Sequence, residues 1–302
     1  MTARLALLLV VSSVALVGQS ARRLEPDPPI VCDDCADWNR PHPPFKVFGN
    51  TYYVGVSGLS SVLIASNAGL VLIDGALPQS ARLIDANIRA LGFKTEDIRL
   101  ILNGHTHYDH AGGLSALQRL TGAPVVTGAA GVRALEQGRY TADDPQVGFA
   151  NNGFPAVAHV RGVADSETLR VGDVAVTAHA TPGHTPGGTT WTWRSCEGAA
   201  CLDVVYADSI TAISAPGFRF TGDATHPSIV DAFRRSITRV AELPCDVLLT
   251  AHPSASDLDG KLKSRDAHPN GPNPFIDATA CRTLAAGAMK ALDARTAEET
   301  RR

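Results

Sequence analysis

No stretch of lysine or arginine here is long enough to offer a cationic face. The 27 basic side chains against 30 acidic ones leave a formal net charge of −3, and only five of the basic residues are lysine. That excludes the counterion-releasing grip on phosphate backbones from which nucleic-acid affinity comes. Charged residues amount to 19% and hydrophobic ones to 44%. A wholly disordered chain needs the opposite balance, so disorder is excluded as well. Beyond Val17 there is no apolar run of the roughly 20 residues that cross a bilayer. No Gly-rich dinucleotide turn follows the first strand-like segment, which sets aside a Rossmann-type site.

What is present begins with an address. Arg4 precedes an apolar run, Leu5 to Val17, broken only by Ser12 and Ser13 and closed by Gly18-Gln19-Ser20-Ala21. A charged start, a short apolar stretch and small residues at its end describe a cleaved export signal over residues 1–21. Once cut, between Gly18 and Ala21, the chain is expected to be a soluble periplasmic protein with no membrane contact. Six cysteines, at 32, 35, 196, 201, 245 and 281, suit an oxidising compartment. Spacing cannot choose their connectivity. Cys196 and Cys201 can close a tight loop between two strand-like runs, and Cys245 joined to Cys281 would staple the last helix to the body. Three bridges are expected, with a zinc site at Cys32-Asp-Asp-Cys35 as the alternative for the first pair.

Residues 22–44, rich in Pro and Asp, read as an extended arm ahead of a single catalytic domain, 45–302. Strand signals fall at Thr51–Val56, Ser61–Ala65, Gly69–Asp74, Leu100–Asn103, Pro124–Thr127, His159–Val163, Val174–Ala180, Thr189–Trp193, Val204–Ala207 and Val247–Thr250. Helical spacing marks Ser80–Leu91, Leu114–Leu120, Val132–Gln137, Ser228–Leu243 and Thr279–Arg302, the last with Thr279 as N-cap. Tyr140–Pro155 is a polar Gly/Pro-bearing loop, long enough to suggest function. Strands and helices alternate in both halves, and no linker divides them. Two mixed βα halves bury one sheet face on the other and cover the outside with helices: an α/β, four-layer αββα sandwich of two mixed β-sheets.

The chemistry gathers at strand ends. Gly104-His105-Thr106-His107-Tyr108-Asp109-His110 packs imidazoles and a carboxylate, ligands that suit zinc, into six positions. His105 and His107 point the same way on extended chain, and Asp109 and His110 follow where it turns into a helix. Four such groups exceed what one open tetrahedral site needs, so two ions are expected. His184, in Thr181-Pro-Gly-His-Thr-Pro-Gly188, and His252, in Thr250-Ala-His-Pro253, each follow a strand and complete the set. The remaining histidines, 42, 159, 179, 226 and 268, are expected to be surface or packed residues.

In that order and spacing, His-Thr-His-Tyr-Asp-His, Thr-Pro-Gly-His and the late His252 resemble the metallo-β-lactamase superfamily over about residues 45–300. The resemblance implies an αββα sandwich with a metal site at one edge between the sheets. His107, where flavodiiron proteins carry Glu, sets that branch aside. His105, where the mono-zinc lactamases carry Asn, and the lack of Cys near Val205–Thr211 set two other lactamase classes aside. Asp208-Ser209-Ile-Thr211, Trp191-Thr-Trp-Arg-Ser-Cys-Glu-Gly, and Pro244-Cys-Asp followed by Ala251-His-Pro are similar to subclass B3. That subclass implies bridges at Cys245/Cys281 and, in some members, Cys196/Cys201; Cys32 and Cys35 depart from its pattern. In it Ser209 is not a ligand. A register placing Asp208 between the ions would instead favour a thioesterase of the hydroxyacylglutathione kind, and alternation of faces along a strand decides between the two.

The implied activity is a secreted, zinc-dependent β-lactamase. His105, His107 and His184 hold the first zinc, and Asp109, His110 and His252 the second. A zinc-bound hydroxide attacks the lactam carbonyl, with Asp109 also able to orient the nucleophile and Ser209 and Thr211 hydrogen-bonding the substrate carboxylate. No Ser-x-x-Lys stands in a setting that suggests an acylating serine. The partner is a small-molecule β-lactam, without nucleic acid, and a monomer is expected. A lactonase or thioesterase of the same fold, and a non-catalytic metal-stabilised binding protein, are the competing readings.

Overall fold

Side chains that alternate along the strands sort into three apolar clusters, and the clusters define the layers. The computed structural model describes residues 23–301; the expected export signal lies outside them. An arm with one short helix, α1 (Cys35–Trp38), leads to β1 (Phe45–Phe48), β2 (Thr51–Tyr53), β3 (Val62–Ser66) and β4 (Gly69–Ile73). Then come α2 (Ala81–Ala90), β5 (Ile98–Leu102), α3 (Tyr108–Ala111), α4 (Leu114–Thr121), β6 (Val125–Gly128), α5 (Val132–Gln137) and β7 (Val160–Val163). The second half contains β8 (Thr168–Val171), β9 (Val174–Ala180), β10 (Thr189–Glu197), β11 (Ala200–Ala207), α6 (Val230–Glu242), β12 (Val247–Thr250), α7 (Leu258–Ala267) and α8 (Ala280–Arg301).

Strands β1 to β7 form one sheet in sequence order, antiparallel up to β4 and parallel from β4 onward. The other runs β12-β11-β10-β9-β8, with only β11 and β12 parallel. Period-two alternation aims Ile64, Val71, Ile73, Leu100 and Leu102 inward, onto Val176, Ala178, Trp191, Val204, Tyr206 and Leu249 of the facing sheet. The intervening Leu63, Leu72 and Ile101 face outward onto Ile84 and Ile88 of α2 and Leu117 of α4. On the opposite side Val205 and Leu248 meet Phe233, Ile237 and Val240 of α6 and Ala285 and Leu292 of α8. Helix, sheet, sheet, helix is the order of layers.

Boundaries differ from the sequence pattern in several places. The chain leaves the first sheet after Tyr53, and the strand expected at Leu100–Asn103 begins at Ile98 and stops at Leu102. β10 and β11 extend to Glu197 and from Ala200, because their register sets Cys196 opposite Cys201, where a disulfide closes the hairpin. β1, β8 and α7 carry little pattern to read. β1 is four residues long, β8 is an edge strand with Thr168 and Arg170 exposed, and α7 fully buries only Leu258. Thr279 precedes α8, but its hydroxyl donates to Asp277 Oδ1 at 2.7 Å, so it does not act as a side-chain cap. Cys245 pairs with Cys281 and Cys32 with Cys35, so the latter two are bonded to each other and not to a metal. Among the described residues no helix is long and apolar enough to cross a membrane.

Candidate metal centre

The carboxyl ends of β5, β9, β11 and β12 converge on one edge of the sandwich, and the loops that leave them carry the ligand-type residues. After Leu102 the chain stays extended through His107 (φ −87°, ψ 154°) and then turns into α3, which carries Asp109 and His110. Asp74, at the end of β4, fixes this path. Its positive φ of 60° costs about 1–2 kcal/mol in an L-residue. In return its Oδ1 accepts from Asn103 Nδ2 (2.9 Å) and Gly104 N (2.7 Å), and its Oδ2 from Tyr206 OH (2.6 Å). His184 follows Gly183, whose φ is +149° and where a Cβ would lie 2.1 Å from the Phe233 ring. Glycine is therefore required for the turn that aims His184 inward.

All six residues singled out in the sequence meet here. Ligand atoms of His105, His107 and His184 lie within 4.8 Å of one another, and so do those of His105, Asp109 and His110. His252 completes the second group, its Nε2 standing 3.2 Å from His110 Nε2 and 3.3 Å from Asp109 Oδ2. Asp109 Oδ2 is itself 3.1 Å from His110 Nε2.

Four of the five imidazoles are backed by an oxygen on the side away from the centre. His105 Nδ1 lies 2.6 Å from Asp208 Oδ1, and His107 Nε2 lies 3.1 Å from Asp144 Oδ1. His184 Nδ1 donates to the Thr211 carbonyl at 2.9 Å, and His252 Nδ1 to the Gly58 carbonyl at 3.2 Å. His110 is the exception, its Nδ1 facing Asp74 Oδ2 across 3.9 Å without a hydrogen bond. Such partners hold the proton on the outer nitrogen and leave the inner one bare. His105 Nε2 is buried with no hydrogen-bond partner, and the two inner nitrogens of His110 and His252 oppose each other at 3.2 Å. Bare nitrogen lone pairs in that arrangement repel unless a cation lies between them. The donor set therefore fits a divalent metal, and its imidazoles and carboxylate fit zinc.

Burial shapes the titration of these groups. It pushes His184 down to about 3 and holds His105 well below the ordinary imidazole value, with neighbouring His110 and His107 adding to the effect on His105. Burial acts against Asp109, but the His110 imidazole beside it holds its carboxyl well below the usual range. Asp109 in turn raises His110 despite that ring's own burial. Asp208 is pushed well above the carboxylate range by burial and then by Asp74.

Alternation along β11 points Asp208 inward, and its hydrogen bond shows which group it meets. Val204 and Tyr206 face inward, so Asp208 does too, but its carboxylate lies behind His105 and not among the inner ligand atoms. Ser209 and Thr211 lie on the wall of a cavity of about 620 Å³ that also touches His252. Thr211 has a second task, since both its carbonyl and its hydroxyl approach His184 Nδ1, at 2.9 and 3.1 Å. His179 is hydrogen-bonded to Thr192 on the neighbouring strand, at 2.8 Å, and takes no part in the centre. Asp74, Asp144, Gln146, Tyr140 and Trp38 carry no signal of their own in the sequence beyond the suspicion attached to the loop Tyr140–Pro155. From that loop Asp144 backs His107, Gln146 Nε2 comes within 3.3 Å of His184 Nε2, and the Tyr140 ring packs 4.5 Å from His107.

The sequence profile described as "Metallo-beta-lactamase superfamily" matches residues 54–252. Among solved structures, the Rm3 metallo-beta-lactamase is 49% identical with a TM-score of 0.86, covering 90% of this chain and 100% of its own. MEM-A1, a subclass B3 metallo-beta-lactamase isolated from a soil metagenome library, is 49% identical at 0.84, covering 87% and 99%. BJP-1, a subclass B3 metallo-beta-lactamase of Bradyrhizobium japonicum, is 36% identical at 0.80, covering 88% and 98%.

Proposed function

The chain belongs to the metallo-beta-lactamase superfamily, and on that premise we propose that it is a zinc-dependent β-lactamase of the B3 kind, opening the cyclic amide of β-lactam antibiotics and so conferring resistance. One observation carries this reading: six ligand-type side chains converge, and four of the five imidazoles among them are held by an oxygen behind the ring. Zinc bound there supplies Lewis acidity, which lowers the pKa of a water to about 7 and polarises a carbonyl.

In this proposal His105, His107 and His184 hold one ion and Asp109, His110 and His252 a second. Asp109 engages its histidine neighbours through Oδ2. Its other oxygen is left to accept a hydrogen bond from the attacking water and orient it. Ser209 and exposed Thr211 donate to the substrate's carboxylate at the mouth of the site. The position of Asp208 behind His105 supports the lactamase over the thioesterase. Residues 45–302 act as one catalytic domain on a small molecule, exported to the periplasm as a monomer after loss of residues 1–21. Three disulfides support that address.

Purified zinc-loaded protein is expected to hydrolyse nitrocefin and a carbapenem, and to stop when a chelator is added. His105→Ala is expected to lower kcat/KM by on the order of 10³, the scale on which loss of a charge-stabilising group acts. Zinc-loaded protein that turns over neither compound but opens a lactone would overturn the proposal.

A further inference from the structure

Between β11 and α6 the chain runs from Asp208 to Ile229 without regular structure, a length at which loops carry function and need anchoring. Its first residues include Ser209 and Thr211, and the Thr211 carbonyl backs His184. The anchor lies at the far end of α8. Glu299 is only 5% exposed, and a buried carboxylate is tolerated only when its lone pairs are met. Its oxygens accept from Phe220 N (3.1 Å), Thr221 N (2.9 Å), Thr221 Oγ1 (3.0 Å) and Arg295 Nε (2.7 Å). Arg295 continues the clamp, its Nη2 donating to Ser214 Oγ at 2.9 Å and to the Phe218 carbonyl at 3.1 Å. Between these ties Ala215 N donates to the Pro145 carbonyl at 2.9 Å, beside Asp144 and Gln146. That contact joins the clamped loop to the one that backs His107.

We propose that Arg295 and Glu299 are positioning residues: the last turns of α8 fix the loop 208–221 so that Thr211 holds His184 in its metal-binding pose and keeps its place at the substrate mouth. A pair serving only to secure the helix needs no charge, and Leu292, two turns before Glu299 along α8, does that by apolar burial alone. Charge is used where the partners are main-chain donors and carbonyls of an irregular loop. There a bidentate fork fixes direction as well as distance.

The inference rests on the reading of His184 as a metal ligand, and zinc affinity tests it without any substrate. In Glu299→Gln, chelator competition is expected to show zinc bound about tenfold more weakly, the lower end of the loss seen when support behind a ligand is removed. KM for nitrocefin is expected to rise by more than kcat falls. Arg295→Ala is expected to act in the same direction and gives a second reading if Glu299→Gln does not fold. Leu292→Ala is the control, expected to lower Tm while leaving zinc affinity and KM near wild type. If the wild type binds zinc but hydrolyses no β-lactam, and the two clamp variants still lose affinity, the clamp stands and the substrate assignment falls. Wild-type zinc affinity and KM in both clamp variants would overturn the inference, and so would an equal loss in Leu292→Ala.

Discussion

His184 and His110 stand in one constellation and respond to protons in opposite directions. In the metal-free protein burial holds His184 at about 3, against an ordinary 6.5. As pH falls below about 6.5 the unfolded chain takes up that proton first, and the folded state loses stability until about 3. His105, also lowered, acts in the same sense. His110 is raised by Asp109, so its contribution is present below 6.5 and is lost as pH rises through its folded value. Chelator-treated protein is therefore expected to show a falling Tm from about pH 6.5 to pH 4. His110 is expected to titrate above His184 by NMR, and the reverse order would refute this account of the site. The same contrast shows what the sequence could disclose at this scale. The six candidate ligands were legible because metal binding draws on few residue types, at strand ends, in fixed order. Asp144 and Asp74 were not, nor was the contact of Asp208 with His105, because a carboxylate that backs an imidazole through space leaves no spacing to read.

Elements with a strong period were legible, and those held by other means were not. α6 and the inward strands show their faces in the order of their residues. α7 has no apolar stripe, and β8 sits at a sheet edge with half its side chains in solvent. α8, 22 residues long, spans about 33 Å. It is fixed at one end by Cys281 to Cys245 and at the other by Glu299 and Arg295 to the loop after β11. The bridge closes a loop of 36 residues, which the chain-entropy account rates at roughly 3–4 kcal/mol. Replacing both cysteines by serine is expected to lower unfolding stability by about that amount in denaturant titrations. A loss below about 1 kcal/mol would mean that packing against α6 alone holds the helix.

At the scale of the whole molecule, the sandwich brings six side chains from positions 105 to 252 to one edge because β5, β9, β11 and β12 all end there. The layering could be derived from alternation alone. Pro and Asp content marked the arm, but without a period it gave no hint of where the arm packs, and it places Trp38 against the centre. Trp191 and Trp193 are sealed between the sheets, whereas the half-buried Trp38 has its ring centroid 5.4 Å from that of His252. The molecule thus carries its own optical gauge: one indole beside the reactive edge and two shielded from it. Emission on adding zinc to stripped protein should change in step with occupancy, and Trp38→Phe should make the signal flat.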